Sequence, residues 1–225
     1  MILLTGGSGL LGRHLAPLLD CIAPTHEQFD IMEPVIPPDV HMIVHAAAYT
    51  DVDGAQREPW KCSELNVEGT KNLIALGLPL VYISTEYVFD GGRGNYAEDD
   101  VPNPLNVYAA SKFLGERAVL RSERTLVIRT LFKPRPFEHP KAVKDQIVSG
   151  DYVDVIAQLI AQAIKFFEAG KVSGILHVGT GRKSIYDLAV QSRPDVEAIT
   201  LADISVRLPR DTSLNLGKWN SLIKN

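Results

Sequence analysis

The tightest constraint on this chain lies in its first dozen residues. An apolar run at positions 1–4 leads straight into Thr5-Gly6-Gly7-Ser8-Gly9-Leu10-Leu11-Gly12, and apolar residues then recur at Leu10, Leu11, Leu15, Leu18 and Leu19. That order reads as a buried strand, a glycine turn and a helix, the arrangement that seats a pyrophosphate. Gly6 permits the tight turn, Gly9 lets backbone approach the phosphates, and Gly12 lets helix and strand pack closely. The phosphate-facing set is Gly6, Ser8, Gly9, Leu10, Leu11 and Gly12, held at the positive end of the helix. The spacing is G-x-x-G-x-x-G, a variant of the dinucleotide fingerprint. Taken alone it fits either a dinucleotide site or a glycine-rich turn with no ligand.

The rest of the chain decides between these. Its 225 residues suit one domain with a small appendage, and 45% hydrophobic against 22% charged residues is ordinary for a globular protein. A formal charge of −4 offers no basic field for nucleic acid or an anionic membrane, so a bound phosphate must be held by local geometry. Cys21 and Cys62 match neither a disulfide framework nor a zinc spacing and read as buried free thiols. The apolar start breaks at Gly6-Gly7, so neither a signal peptide nor a membrane anchor is expected, and the expected location is cytoplasmic.

In chain order, residues 21–25 read as a second short strand. Its tip, Thr25-His26-Glu27, is where an acid would favour NAD and a base would favour the 2′-phosphate of NADP. No acid stands at the expected place, and Thr25 and His26 can hydrogen-bond a phosphate; the lean is to NADP, beside the alternative of a polar loop that selects neither. Residues 41–48 are a strand ending in Ala46-Ala47-Ala48, whose small side chains leave space for a ligand across the sheet. Residues 51–76 are mostly helical, with Ala55, Trp60, Leu65, Val67, Leu73 and Ile74 facing inward. Further strands are expected at 80–85, 125–129 and 174–179, and helices at 108–120 and 152–167. In the last helix Val153, Ile156, Leu159, Ile160, Ala163, Ile164 and Phe167 keep an amphipathic period. Residues 131–144, with Pro134, Pro136 and Pro140, are a loop, and the tail from about 191 holds only short elements. Strands alternating with helices imply an α/β fold: a Rossmann-type, doubly wound parallel sheet with helices on both faces.

Tyr108 and Lys112 stand four positions apart in a helical segment and so share a face. A free phenol has a pKa of about 10, too high for efficient proton exchange near neutrality. A neighbouring ammonium favours phenolate, and the same lysine can hold ribose hydroxyls. A hydroxyl from a strand end, Ser84 or Thr85, can steady a substrate oxygen beside the phenol.

With these features the sequence resembles the extended short-chain dehydrogenase/reductase family, and within it the keto-sugar reductases. The likeness is carried by TGGSGLLG (5–12), HAAAYTDVD (45–53), ISTEYVFDG (83–91), NPLNVYAASKFLGE (103–116), VIRT (127–130), Asp145-Gln146 with DYVDVIAQLI, and RLPRDTSLNLGKW (207–219). The resemblance implies Thr85, Tyr108 and Lys112 as the catalytic triad. It implies Asp30 and Ile31 near adenine, Ala46, Ala47 and Ala48 along the cofactor trough, and Glu86, Tyr87, Asp145 and Gln146 at the substrate. Arg129 is left between binding a phosphate and pairing with a carboxylate; His14, His41 and His45 read as structural, and no metal site is expected. Two departures stand out. Glu86 replaces the family's usual Asp, and fifteen residues span Arg129 to Asp145 where the family has a longer insert. The expected layout is one NAD(P)-binding domain, 1–225, with a reduced substrate lobe at about 131–150 and 180–225. The implied activity is NAD(P)-dependent reduction of a keto-sugar, specifically a nucleotide-linked 4-keto-sugar, by an enzyme that can form homodimers. The rivals are a nucleotide-sugar epimerase or dehydratase on the same site and a non-catalytic cofactor-binding subunit.

Overall fold

The structure, a computed structural model, describes residues 1–224. Its centre is a six-stranded parallel sheet. The strands are β1 (Ile2–Thr5), β2 (Cys21–Ile22), β3 (Met42–His45), β4 (Leu80–Thr85), β5 (Thr125–Thr130) and a last strand at Gly174–His177. Their spatial order is Gly174–His177, β5, β4, β3, β1, β2. The chain steps from β1 to β2 on one side and then crosses to β3 on the other. Beyond the carboxyl ends of β1 and β3 this leaves the crevice in which such sheets bind ligands. Every residue of β1, β3, β4 and β5 is buried, which explains why these strands read as unbroken apolar runs rather than alternations.

Successive strand residues point to opposite faces and build two cores. On one face Leu4, Val44, Ile83 and Ile128 pack under α1 (Leu10–Leu15) and α6 (Val153–Glu168). Trp219, from the last helix at Gly217–Leu222, joins that core. On the other face Leu3, Ile43, Tyr82 and Val127 meet Leu73 and Val119. The helices there are α2 (Val52–Arg57), α3 (Pro59–Ser63), α4 (Gly69–Ile74) and α5 (Val107–Val119). The amphipathic period of α6 is followed closely, with six of its expected residues buried and Leu159 partly so.

Two local expectations fail for backbone reasons. Helix α1 is shorter than its apolar pattern, because Pro17 has no N–H to continue it and the chain tightens to a 3₁₀ turn at Ala16–Leu18. Leu18 therefore stays exposed, as does Leu10 at the first position of α1, where it borders the cavity. Trp60, expected inside, is 66% exposed, since the break between α2 and α3 at Glu58-Pro59 resets the helical phase and turns Cys62 inward instead.

Beyond β5 the chain forms short strand pairs: Phe132–Lys133 with Asp151–Tyr152, Lys141–Val143 with Glu197–Ile199, and Ile147–Val148 with Lys183–Ser184. They enclose a smaller core of Phe137, Ala142, Val148, Ile185, Leu188 and Val196, into which Tyr87 and Leu131 reach from the main sheet. Residues 131–144 are thus not all loop; they begin and end in strand. Among the described residues no helix is long and apolar enough to cross a membrane.

Candidate active site

A cavity of about 560 Å³ runs along the carboxyl ends of the strands, from the glycine turn to the small core. Its size falls within the ~300–1,000 Å³ usual for small-molecule sites. One end is the turn after β1. Gly6 sits at φ 73°, and a Cβ there would lie 2.6 Å from the Ala47 backbone nitrogen. A Cβ on Gly12 would run into the Gly6 carbonyl. The turn is closed by the Gly9 amide donating to the Gly6 carbonyl at 3.0 Å, and α1 starts with no side-chain cap and no acid in its first turn. Its leading amides therefore face the cavity with their positive dipole uncompensated, a fit for a pyrophosphate. Gly6, Ser8, Gly9, Leu10, Leu11, Gly12, His26, Ile31, Ala46, Ala47 and Ala48 all line the cavity. The lining residues from the segment after β2, Pro24, His26, Phe29 and Ile31, include no carboxylate.

At the other end Thr85, Tyr87, Tyr108 and Lys112 line the same space. Asn106 caps α5 by accepting the Ala109 amide at 2.9 Å, which starts the helix one turn before Lys112 and puts Tyr108 and Lys112 on its inner side. Further along α5, Glu116 is fully buried and forms a bidentate ion pair with Arg129 of β5, at 2.8 Å to one guanidinium nitrogen and 3.0 Å to another. The Ser84 hydroxyl donates to the same carboxylate at 2.5 Å. Arg129 therefore pairs with a carboxylate, and the Ser84 hydroxyl is engaged by the helix clamp, while Thr85 at the end of β4 lines the cavity. A π-helical stretch at Glu64–Glu68 turns Asn66 inward. Its side chain accepts from the Tyr49 amide at 2.7 Å and donates to Ser111 at 2.8 Å, tying the loop after β3 to α5. Sequence reading missed this link; an Asn in an otherwise apolar inward stripe was its available signal.

Burial dominates the electrostatics here. The Lys112 ammonium lies 4.1 Å from the centre of the Tyr82 ring, and desolvation pulls its pKa down to about 7. Tyr108 is raised to about 12 by desolvation, against which a hydrogen bond with Thr85 works. In the cavity as it stands, withdrawal from water outweighs the Thr85 hydrogen bond, so the phenol holds its proton. His45, wedged between the Thr5 and Thr70 hydroxyls, is driven down to about 3 by burial and is structural, as expected.

Five expected site residues do not line the cavity. Thr25 is exposed, its amide donating to Gln28. Asp30 is exposed and caps its own turn by accepting the Met32 amide at 2.8 Å. Asp145 accepts the Leu201 amide at 2.8 Å, and Gln146 donates to the Tyr87 hydroxyl at 3.0 Å and to the Pro209 carbonyl. Glu86 accepts from the Thr212 hydroxyl at 2.7 Å and the Ser149 amide at 3.2 Å. The turn after β4 explains Glu86: the chain leaves the strand at Thr85 for a 3₁₀ helix at Glu86–Val88, in which Tyr87 reaches the cavity while Glu86 faces the segments behind. Thr130, Lys133, Glu138 and His139 line the cavity and were not anticipated, since the proline-rich stretch holding three of them carried no motif.

A model of the RmlD substrate binding domain family matches residues 1–132. The dTDP-4-dehydrorhamnose reductase of Aggregatibacter actinomycetemcomitans is 32% identical over 96% of this chain and 91% of its own length. The methionine adenosyltransferase 2 subunit beta of Bos taurus is 36% identical, but over 54% of this chain and only 43% of its own length. Among solved structures, dTDP-4-dehydrorhamnose reductase from Bacillus anthracis in complex with NADP superposes with a TM-score of 0.81 at 27% identity, covering 98% of this chain and 91% of that one.

Proposed function

This chain belongs to the RmlD substrate binding domain family, and on that premise we propose that it is an NAD(P)-dependent reductase of a nucleotide-linked keto-sugar. The observation that carries the reading is that Thr85, Tyr108 and Lys112 line the same cavity as the glycine turn after β1.

The bound cofactor supplies the hydride that reduces the carbonyl carbon. The chain's residues do the rest. Tyr108 gives its proton to the carbonyl oxygen as the alcohol forms, and its high pKa keeps that proton in place until then. Thr85 steadies the same oxygen through its hydroxyl. Lys112 holds ribose hydroxyls; once it carries its charge, it favours the phenolate that Tyr108 leaves behind. The glycine turn and the first amides of α1 hold the pyrophosphate, and Ala46, Ala47 and Ala48 leave room for the rest of the dinucleotide. NADP is the preferred form, supported by His26 and the lack of a carboxylate among the lining residues of the segment after β2. The substrate lobe is the part built on residues 131–150 and on the stretch from 180 up to the last helix, Gly217–Leu222, which packs on the main core instead. The assembly is a homodimer, in which a second copy covers exposed apolar groups such as Trp60 and Leu114.

The decisive experiment follows absorbance of NADPH and NADH with a panel of nucleotide 4-keto-sugars. Wild type should consume reduced cofactor, and Tyr108→Phe should lose turnover while binding cofactor normally. Full activity in that variant would remove the assignment. An epimerase would leave the cofactor's net redox state unchanged. A dehydratase acid at Glu86 is disfavoured by its engagement with Thr212 and Ser149. The second reading, a cofactor-binding subunit without turnover, is favoured by the likeness to methionine adenosyltransferase 2 subunit beta. Cofactor binding with no reduction of any substrate in the panel would support it.

A further inference from the structure

The cavity contains two lysines, and the chain provides for them differently. Lys112 lies against the Tyr82 ring on α5, within electrostatic reach of Glu116. Lys133 lies on the short strand Phe132–Lys133, just past the end of β5. That strand is held on both flanks. Phe132 packs on the main core, and Lys133 registers with Tyr152, whose buried hydroxyl donates to the Leu188 carbonyl at 2.6 Å. Lys133 is half-buried and lines the cavity.

Among the described residues its ammonium has no hydrogen-bond or ion-pair partner, although Glu138 lines the same cavity and Asp151 lies on the facing strand. Asp151 is engaged by Lys183 at 3.0 Å, and Asp154 by Arg135 at 3.2 Å. Glu86 is within electrostatic reach but makes no hydrogen bond or ion pair with it, its oxygens accepting from Thr212 and Ser149 instead. A half-buried ammonium without a counter-charge is costly unless something else supplies one. The cofactor's pyrophosphate is poorly placed for this. The glycine turn follows β1, while Lys133 follows β5, and β4 and β3 lie between them. At ~4.8 Å per strand the separation is about 14 Å.

We propose that Lys133 is an anion-binding residue of the substrate half of the cavity, taking a phosphate or carboxylate oxygen of the carbonyl substrate while Thr85 and Tyr108 hold the reacting oxygen. This rests on the reductase reading for what enters the cavity, though not for the anion preference itself. The anion comes from one of two sources, the diphosphate of a nucleotide-linked sugar or a carboxylate on the sugar ring.

Calorimetric titration tests it, using full-length protein with and without NADP⁺. The probes are dTDP against thymidine, and glucuronate against glucose. Wild type should prefer at least one anionic probe over its neutral counterpart by about tenfold or more. Lys133→Gln should abolish that preference, Lys133→Arg should keep most of it, and the neutral probes should be unaffected. Preference confined to dTDP identifies the diphosphate; preference confined to glucuronate identifies a ring carboxylate. Lys133→Met replaces the Gln variant if the latter does not fold. The proposal is overturned if wild type shows no preference for either anion, or if the neutral variants retain it. Failure to bind NADP⁺ would instead count against the reductase reading, and the anion preference would still be read on the cofactor-free protein.

Discussion

Glu86→Gln should separate the pH dependence of stability from the rest of the fold. Glu86 is fully buried between Thr212 and Ser149, and desolvation raises its carboxyl to about 8. In the unfolded chain the same group titrates near ~4.3. Below that value both states hold the proton, and its contribution to stability is complete. As pH rises, the unfolded chain ionises while the folded one does not, so stability falls by about 1.4 kcal/mol per pH unit until the folded pKa is passed. Between pH 5 and pH 8 the ceiling is ~4 kcal/mol; relaxation around the ionised group makes a realised loss of about 2 kcal/mol the reasonable expectation. Glutamine keeps a carbonyl for the Ser149 amide, and the Thr212 hydroxyl can turn to accept from its amide group. Urea unfolding should therefore find the two proteins within about 1 kcal/mol at pH 5, and the variant more stable by ~2 kcal/mol at pH 8. In thermal melts that is roughly 4–8 °C for a chain of this size. Parallel stability-against-pH curves, or a variant that falls further behind at pH 8, would show that the folded carboxyl is ionised and refute the reasoning.

Other expectations follow from the same geometry. Lys112→Met should abolish turnover yet stabilise the protein by ~1–3 kcal/mol at pH 7 and little at pH 10. A lysine lowered to about 7 contributes fully only above its unfolded pKa, and that contribution is lost as pH falls toward the folded value. Melting curves at the two pH values check this. Glu116→Gln leaves the Arg129 guanidinium buried against a neutral amide and should cost about 3–5 kcal/mol in urea unfolding. Gly6→Ala, at φ 73° with Ala47 backbone in the way, should lower stability by ~1–3 kcal/mol and weaken NADPH binding measured by fluorescence.

What could be read in the linear chain was whatever depends on neighbours within a turn or a strand. The run into Thr5–Gly12 had to be strand, tight turn and helix start, because only glycine suits Gly6 and Gly12. The buried strands Leu80–Thr85 and Thr125–Thr130 stood out because strands covered on both faces are apolar throughout. Tyr108 and Lys112 were legible as a pair because helical spacing fixes their face. Tertiary structure alone decided which polar groups reach the cavity. Glu86 and Gln146 sit in motif positions that suggested a substrate, yet each is held by a segment distant in sequence: Thr212 and Ser149 for the acid, Pro209 and Tyr87 for the amide. The reverse holds for Lys133, in a proline-rich stretch with no motif, which strand pairing with Asp151–Tyr152 brings to the cavity wall. It likewise set the pKa of Tyr108, since the depth of water exclusion around a phenol belongs to the packed fold and not to the spacing of a lysine along a helix.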